Sequence, residues 1–143
     1  MNKSCWITGA SSGIGKHTAF CFAKKGYTVF ASSRSLKDLN KLVRESADLY
    51  HEGRIIALPL DVTVPNEILK CIKCVKNEVK NLDFVILNAG TYIKEDSKSA
   101  TINSTKHMID LNYTAVFNHI ILLQPFIIPL NIKQIAVVSS MAA

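Results

Sequence analysis

A glycine-rich turn near the N-terminus constrains the fold of this chain more than any other feature of its sequence. The stretch TGASSGIG, residues 8–15, follows a short apolar run, Ser4 to Thr8, and opens a segment with helical spacing, Gly13 to Lys25. Glycines let the backbone turn sharply and approach a phosphate closely, and the following helix offers unpaired N–H groups and the positive end of its dipole. In a strand–turn–helix context this pattern predicts a dinucleotide pyrophosphate site, and the alternative is a tight turn without a ligand.

Strand-like and helix-like patterns alternate along the rest of the chain. The strands are near-continuous apolar runs, which are typical of parallel strands buried on both faces. Strands separated by helices predict a doubly wound α/β sheet with helices on both faces and a ligand at the carboxyl ends of the strands. The predicted strands are Ser4–Thr8, Tyr27–Ser32, Ile55–Leu60, Phe84–Leu87 and Gln134–Ser139, and the predicted helices are Gly13–Lys25, one capped by Ser35, one from Pro65 to about Asn81, and Ile102–Leu130.

Composition and charge narrow the class of protein. The 143 residues are 48% hydrophobic and 20% charged, as in an ordinary globular chain, and we predict one domain over residues 1–143. A net charge of +6 raises the question of nucleic acid, but the densest lysine run, Lys70 to Lys80, follows the spacing of a solvated helix face. No zinc-finger, basic-zipper or RNA-binding signature accompanies it, so we predict no nucleic-acid partner.

The cysteines and the apolar C-terminal half could indicate a metal site or a membrane-spanning helix. Cys71 and Cys74 form a CxxC pair within a helical pattern, but no second CxxC and no HxxxH complete a zinc site. We expect ordinary thiols and no metal, with a redox pair as the alternative. The N-terminus has no charged, then apolar leader, and polar residues and two prolines interrupt the apolar stretch 111–130. We therefore predict no membrane-spanning helix and a cytoplasmic location.

The glycine spacing TGxxxGxG, which differs from the GxGxxG fingerprint, resembles that of the short-chain dehydrogenase/reductase (SDR) family. Further segments resemble family motifs in the family's order, and together they cover essentially the whole chain. They are Asp61-Val62 after strand three, Asn88-Ala89-Gly90 after strand four, Asn112 in the long helix, and Ser139-Ser140 at the end of strand five. The resemblance implies a Rossmann-type NAD(P)-binding domain with about five strands in the order 3-2-1-4-5. It also implies hydride transfer between the nicotinamide and a small-molecule carbonyl or alcohol substrate.

The resemblance also assigns roles to individual residues. Asp61 would contact the adenine side of the cofactor, Asn112 would support a proton relay through water, and Ser140 would position the substrate oxygen. Of the two serines, Ser140 better matches the catalytic position because Met141-Ala142-Ala143 follows it. Each has a structural alternative: Asp61 as a cap of the next helix, Asn88 as a turn residue bonded to the backbone, and Asn112 as a satisfied buried amide. The catalytic candidates are Ser140 and Asn112, and the cofactor-binding candidates are Gly9, Ser11, Ser12, Gly13, Ile14, Gly15, Arg34, Asp61, Val62, Asn88, Ala89 and Gly90.

The end of the second strand bears on the choice of cofactor. NAD-binding folds usually place a carboxylate about 20 residues after the glycine turn, where it bonds the ribose 2′-hydroxyl. Here the sequence is Ser32-Ser33-Arg34-Ser35, with a guanidinium that suits a 2′-phosphate. We therefore predict NADP(H) in preference to NAD(H), and the alternative is that Arg34 is a solvated loop cation.

The family's catalytic Tyr-x-x-x-Lys pair is not found in the sequence. It would follow Ser140, and none of Tyr27, Tyr50, Tyr92 and Tyr113 has a lysine at the fourth position after it. A positioned general acid or base contributes roughly 10²–10⁴-fold in rate. We therefore expect an SDR portion truncated before this pair and before the C-terminal strands, and inactive alone. The alternative is a non-catalytic dinucleotide-binding or regulatory module.

The predicted long helix carries a second expectation. From Leu111 to Ile132 it is apolar nearly all round, so it favours burial on both sides, and the sheet covers one side only. The resemblance implies that a further helix and a second subunit cover the rest. We therefore expect a homo-oligomer formed through residues 102–130.

Overall fold

The computed structural model describes residues 3–49, 53–93 and 101–140 and contains one parallel five-stranded sheet. The strand order is β3-β2-β1-β4-β5, as expected. The strands are β1 Ser4–Thr8, β2 Thr28–Ser32, β3 Arg54–Ala57, β4 Phe84–Leu87 and β5 Gln134–Val137. The helices are α1 Gly13–Lys24, α2 Leu36–Leu49, α3 Pro65–Glu78, α4 Ile102–Ile109 and α5 Ala115–Leu123, with a π-helical turn at Asp110–Thr114 and a 3₁₀ turn at Gln124–Phe126.

Alternation along β1 divides the core into two layers, one on each face of the sheet. Trp6 belongs to a cluster that includes residues of α3 and α5, whereas Cys5 and Ile7 belong to a cluster that includes residues of α1 and α2. Successive side chains of a strand point to opposite faces, so a strand covered by helices on both sides buries all its side chains, and the middle of β1 is apolar on both faces. The prediction of a doubly wound sheet is confirmed.

Several predicted boundaries are confirmed by local contacts. Gly26 follows α1 with a φ of 79°, and its N–H donates to the Ala23 carbonyl at 3.0 Å. Ser35 caps α2, because its Oγ accepts the Asp38 N–H at 3.2 Å. Pro65 is the first residue of α3, where a missing N–H costs nothing.

The predicted third strand, Ile55–Leu60, is too long. The β3 ladder ends at Ala57, and Pro59 is tolerated just beyond it because β3 is an edge strand and alternate residues donate toward β2. The chain nevertheless continues beside β2: Leu58 N donates to Ala31 O at 2.9 Å, and Leu60 N donates to Ser33 O at 3.0 Å. The segment after β3 is thereby carried to the carboxyl edge of the sheet.

The helix predicted over residues 102–130, with Pro125 and Pro129 bending or ending it, is helical as far as Phe126 but is not one regular α-helix. Instead α4 passes through the π-helical turn Asp110–Thr114 into α5, which ends in the 3₁₀ turn Gln124–Phe126. Pro125 lies within that last turn, where the missing N–H and the ring disfavour a continued α-helix. Likewise α3 stops at Glu78 rather than Asn81, and β5 stops at Val137 rather than Ser139.

The cysteines and the apolar helices bear on the expectations about a metal site and a membrane span. Cys71 is buried and Cys74 is exposed on α3, and both are unbridged thiols. Burial raises the pKa of Cys71 to about 11. Over the described ranges, no helix is long and apolar enough to span a bilayer, and no group of three or more His, Cys, Asp or Glu side chains is arranged to hold a metal ion.

Candidate functional site

A cavity of about 580 Å³ lies at the carboxyl edge of the sheet. Its walls come from the turn after β1 and the segments that follow β2, β3 and β4. All the predicted cofactor-binding residues except Gly15 line it. The lining residues are Gly9, Ser11, Ser12, Gly13, Ile14, Ser33, Arg34, Ser35, Leu60, Asp61, Val62, Thr63, Asn88, Ala89, Gly90, His107 and Leu111.

The glycine turn packs closely against the segment after β4. Gly9 has a φ of +65°, and a Cβ there would lie 2.8 Å from Ala89 Cα. Gly15 does not line the cavity: it is buried, and a Cβ there would lie 2.3 Å from the Gly9 carbonyl oxygen and 2.6 Å from Asn88 Nδ2. The first glycine therefore permits the turn, whereas Gly15 permits the close approach of α1 to that turn.

The amino terminus of α1 is open toward an anion. Ser12 precedes the helix in extended conformation (φ −153°) and makes no side-chain capping bond, and the first turn contains no acidic residue. The first N–H groups of a helix have no partner within the helix, and the dipole places partial positive charge at the same end. This end of α1 adjoins the cavity, because Ser12, Gly13 and Ile14 line it.

Thr8 and Asn88 join β1 to β4 beneath the cavity. Thr8 is 1% exposed, and its Oγ1 accepts the N–H groups of Asn88 at 3.0 Å and of Ala89 at 3.1 Å. In return, Asn88 Nδ2 donates to the carbonyl oxygens of Thr8 at 3.1 Å and Gly9 at 3.2 Å. The structural alternative for Asn88 is thus present, and the same residue lines the cavity.

Asp61 occupies the segment after β3 and does not cap α3. Its Oδ1 accepts the Thr63 N–H at 2.9 Å and the Thr63 hydroxyl at 2.7 Å, while its own N–H donates to Glu67 Oε2 at 2.8 Å. Val64 is the residue before α3 and makes no side-chain cap, so the capping alternative is wrong. Partial burial opposes ionisation of Asp61, but the Thr63 hydrogen bonds and the nearby charge of Arg34 outweigh it and lower the pKa of this carboxyl.

Arg34 lies at the end of β2, between the cavity-lining residues Ser33 and Ser35. Its side chain is exposed, and it forms no ion pair with any acidic residue in the part of the chain that is described. A guanidinium in this position presents a planar set of donors that can bind an oxyanion in two places at once.

The two catalytic candidates lie outside the cavity wall. Asn112 sits in the π-helical turn, where its Oδ1 accepts the Thr91 N–H at 2.8 Å and its Nδ2 donates to the Thr91 carbonyl at 2.7 Å. Its amide is satisfied but exposed, so the buried-amide alternative is wrong. Gly90, which lines the cavity, would place a Cβ 3.1 Å from Asn112 Oδ1, so Asn112 borders the site.

Ser140 is exposed and follows β5, whose chain continues beside β4 through a 3.0 Å hydrogen bond from Val138 N to Leu87 O. It therefore lies at the same carboxyl edge of the sheet as the cavity. Residues 141–143, which supported its choice over Ser139, lie outside the described residues.

Sequence reasoning missed several residues of the cavity wall. Ser33, Ser35, Leu60 and Thr63 flank predicted residues, so their position beside the motifs could have indicated them. His107 and Leu111 come from α4 and the π-helical turn and carry no sequence signal of their own. Thr8 and Glu67, which hold the walls through backbone N–H groups, were also missed.

Comparison with known proteins decides the family. The sequence profile of the short chain dehydrogenase family matches residues 3–143. The chain belongs to this family. A 3-oxoacyl-[acyl-carrier-protein] reductase, FabG, of Thermotoga maritima is 34% identical over 139 residues, which cover 92% of this chain and 51% of that protein.

Solved SDR structures share the fold. A short-chain dehydrogenase from Sphingobium yanoikuyae in complex with NADPH superposes with a TM-score of 0.81 at 26% identity, over 99% of this chain and 54% of that one. A 7α-hydroxysteroid dehydrogenase complexed with NADH and 7-oxo glycochenodeoxycholic acid superposes with a TM-score of 0.87 at 27% identity. The match covers 99% of this chain and 54% of that one. The present chain spans about half the length of these relatives.

Proposed function

We propose that this chain is the cofactor-binding part of an NADP(H)-dependent SDR oxidoreductase that acts on a small carbonyl or alcohol. The observation that carries the proposal is the convergence of the uncapped α1 terminus and Arg34 on one cavity. The first suits a pyrophosphate, and the second suits an additional phosphate at the far end of a dinucleotide.

The residues of the cavity divide naturally among the parts of such a cofactor. The turn from Gly9 to Gly15 would hold the pyrophosphate, because Ser12 and Gly13 line the cavity at the uncapped amino terminus of α1. Arg34 would bind the 2′-phosphate, and Asp61 and Val62 would border the adenine. Residues 88–90 would lie beside the rest of the cofactor. When bound, the nicotinamide supplies or accepts a hydride.

The chain's own chemistry at the reacting end would rest on Asn112 and Ser140. The paired bonds from Asn112 to the Thr91 backbone fix the amide beside Gly90, where it can order a water. Ser140 would donate a hydrogen bond to a substrate oxygen. No Tyr-x-x-x-Lys occurs within the 143 residues, so we propose that they bind cofactor without turning over a substrate.

That missing pair also favours the second candidate, a dinucleotide-binding or regulatory module without catalysis. Both candidates require cofactor binding, and neither predicts turnover by these 143 residues alone. An assay of the 143-residue chain with NADPH and a panel of carbonyl compounds separates them from a self-sufficient enzyme. Measurable reduction by this chain alone would contradict both, because it would require a general acid outside the expected motif.

We further propose that the protein is cytoplasmic. We also propose that a second copy of the chain covers the exposed apolar side chains of α4, the π-helical turn and α5. The face comprises Ile109, Tyr113, Phe117 and Ile121, each more than half exposed. Apolar patches of this kind mark interaction surfaces in monomeric folds.

The cofactor preference is tested by titrating the chain with NADPH and with NADH while following nicotinamide fluorescence. We expect tighter binding of NADPH, and Arg34→Asp should weaken it by about 10–100-fold, the value of a lost charge-assisted contact. The matched control is Arg44→Asp, an exposed arginine on α2 that does not line the cavity. Equal binding of the two nucleotides, or equal effects of the two substitutions, would contradict the preference.

A further inference from the structure

His119 on α5 is buried against the central strand. It is 1% exposed, and its ring packs edge-on against the Trp6 indole with the ring centres 5.2 Å apart. Burial lowers the pKa of His119 to about 4, although a hydrogen bond with the Ala115 backbone acts in the opposite direction. The imidazole is therefore neutral at neutral pH.

One ring nitrogen of His119 has no protein partner. Among the described residues, Nε2 is the buried side-chain nitrogen or oxygen without a hydrogen bond. The bond to Ala115 therefore belongs to Nδ1, which donates its proton to the carbonyl four residues earlier. In that tautomer Nε2 is an acceptor, and a buried acceptor without a donor carries a desolvation cost.

A small cavity is lined in part by His119. Its volume is about 10 Å³, and His119, Thr8, Ala89 and Val62 are among the residues that line it. One water molecule needs roughly 10–15 Å³ of such volume and two to four polar partners. The cavity is thus of the size of a single water.

Thr8 supplies the complementary group. Its Oγ1 already accepts two N–H groups, from Asn88 and Ala89, which use both acceptor positions of a hydroxyl. The hydroxyl hydrogen remains as a donor. A water that accepts from the Thr8 hydroxyl and donates to His119 Nε2 would satisfy both groups at once.

We propose that a water in this cavity links Thr8 to His119, and that His119 is a positioning residue for the segment Asn88–Ala89. The link fixes the orientation of the Thr8 hydroxyl, so that its lone pairs face the two N–H groups that hold this segment beside the larger cavity. The proposal rests on the proposed function only in that this segment borders a nicotinamide cofactor.

The direct test is a high-resolution crystal structure of the 143-residue chain without cofactor. We expect an ordered water within hydrogen-bond distance of both Thr8 Oγ1 and His119 Nε2. A cavity without a water, or a protein donor bonded to Nε2, would overturn the proposal. This test does not depend on whether the chain binds NADPH.

Variants of His119 test the positioning role. His119→Leu removes the acceptor and should speed amide hydrogen exchange at Asn88 and Ala89, with about fivefold weaker NADPH binding, the loss expected for one hydrogen bond. His119→Gln keeps an acceptor and should restore both properties to within about twofold. Leu123→Met, a volume-conserving change at a buried α5 position that does not line the cavity, is the control.

Equal exchange at Asn88 and Ala89 in the Leu and Gln variants would contradict the positioning role. If His119→Leu does not fold, His119→Phe removes the acceptor while keeping an aromatic ring against Trp6, and it should accelerate the same two amides. Unchanged exchange there would contradict the link. If NADPH does not bind the native chain, the proposed function fails, while the exchange data still decide the link.

Discussion

Strands β1 and β5 belong to the same parallel sheet, yet their surroundings differ. All five residues of β1 are buried, and the strand pairs with β2 on one side and β4 on the other. In β5 both end residues are exposed, and within the described ranges the strand pairs only with β4. The centre of the sheet is thus a completed core, and its β5 edge is a surface with apolar side chains.

The helices repeat this contrast. The turn before α1 is held by contacts to the Asn88 side chain and the Ala89 backbone, so the larger cavity is shaped by well-packed groups. On α5, Phe117 and Ile121 are 52% and 55% exposed, although the same helix buries Leu123 completely. Under the proposed function, we infer that cofactor binding needs only the packed region, whereas the exposed apolar side chains of α5 would be covered by a second copy of the chain.

The largest effect on stability is expected in the packed region, where α1 meets the glycine turn. Gly15→Ala would place a Cβ 2.3 Å from the Gly9 carbonyl oxygen, so α1 must move away from the turn. We expect a loss of about 3 kcal/mol or more in the free energy of unfolding, measured by urea denaturation. The control is Gly13→Ala, where a Cβ meets nothing within 4 Å and only the positive φ of 52° costs energy, about 1–2 kcal/mol. Equal losses in both variants would break the claim of close packing.

A slightly smaller effect is expected from pH, through His119. Its pKa is lowered in the folded chain to about 4, from 6.5, so the unfolded state takes up a proton first as the pH falls. The stability that this histidine contributes is complete above about pH 6.5 and is lost as the pH falls toward 4. The loss is on the order of 3 kcal/mol.

Urea denaturation at several pH values checks this expectation. His119→Gln should lack this part of the pH dependence, whereas His17→Gln, at an exposed position on α1, should retain it. The same slope in both variants would mean that His119 is accessible to protons in the folded chain.

The smallest effect on stability is expected at the exposed apolar face. The double substitution Phe117→Ser and Ile121→Ser should lower the free energy of unfolding by only about 1–2 kcal/mol in total, because both side chains are more than half exposed. It should lower self-association in sedimentation experiments. Leu123→Ala, on the buried side of α5, should cost about 2–5 kcal/mol. Similar losses in the two variants would show that the face is already packed within one chain.

The sequence predicted what depends on local pattern. Continuous apolar runs identified the strands, and the glycine spacing located the turn. Each of these signals is contained within a few consecutive residues. It did not predict features set by distant groups. The π-helical turn at Asn112 accompanies a pairing with Thr91, 21 residues earlier. The roles of Thr8 and His119 depend on neighbours that only the folded sheet brings together.

An NMR titration of the ¹⁵N-labelled chain with NADPH shows which of the two regions binds the cofactor, because it reports on both at once. We expect saturable shifts in the amide signals of the turn Gly9–Gly15, of Arg34 and Ser35, and of Asp61 to Thr63. The signals of α5 and β5 should change little. Shifts confined to α5 and β5, or no saturable shifts at all, would contradict the assignment of the cofactor to the packed region.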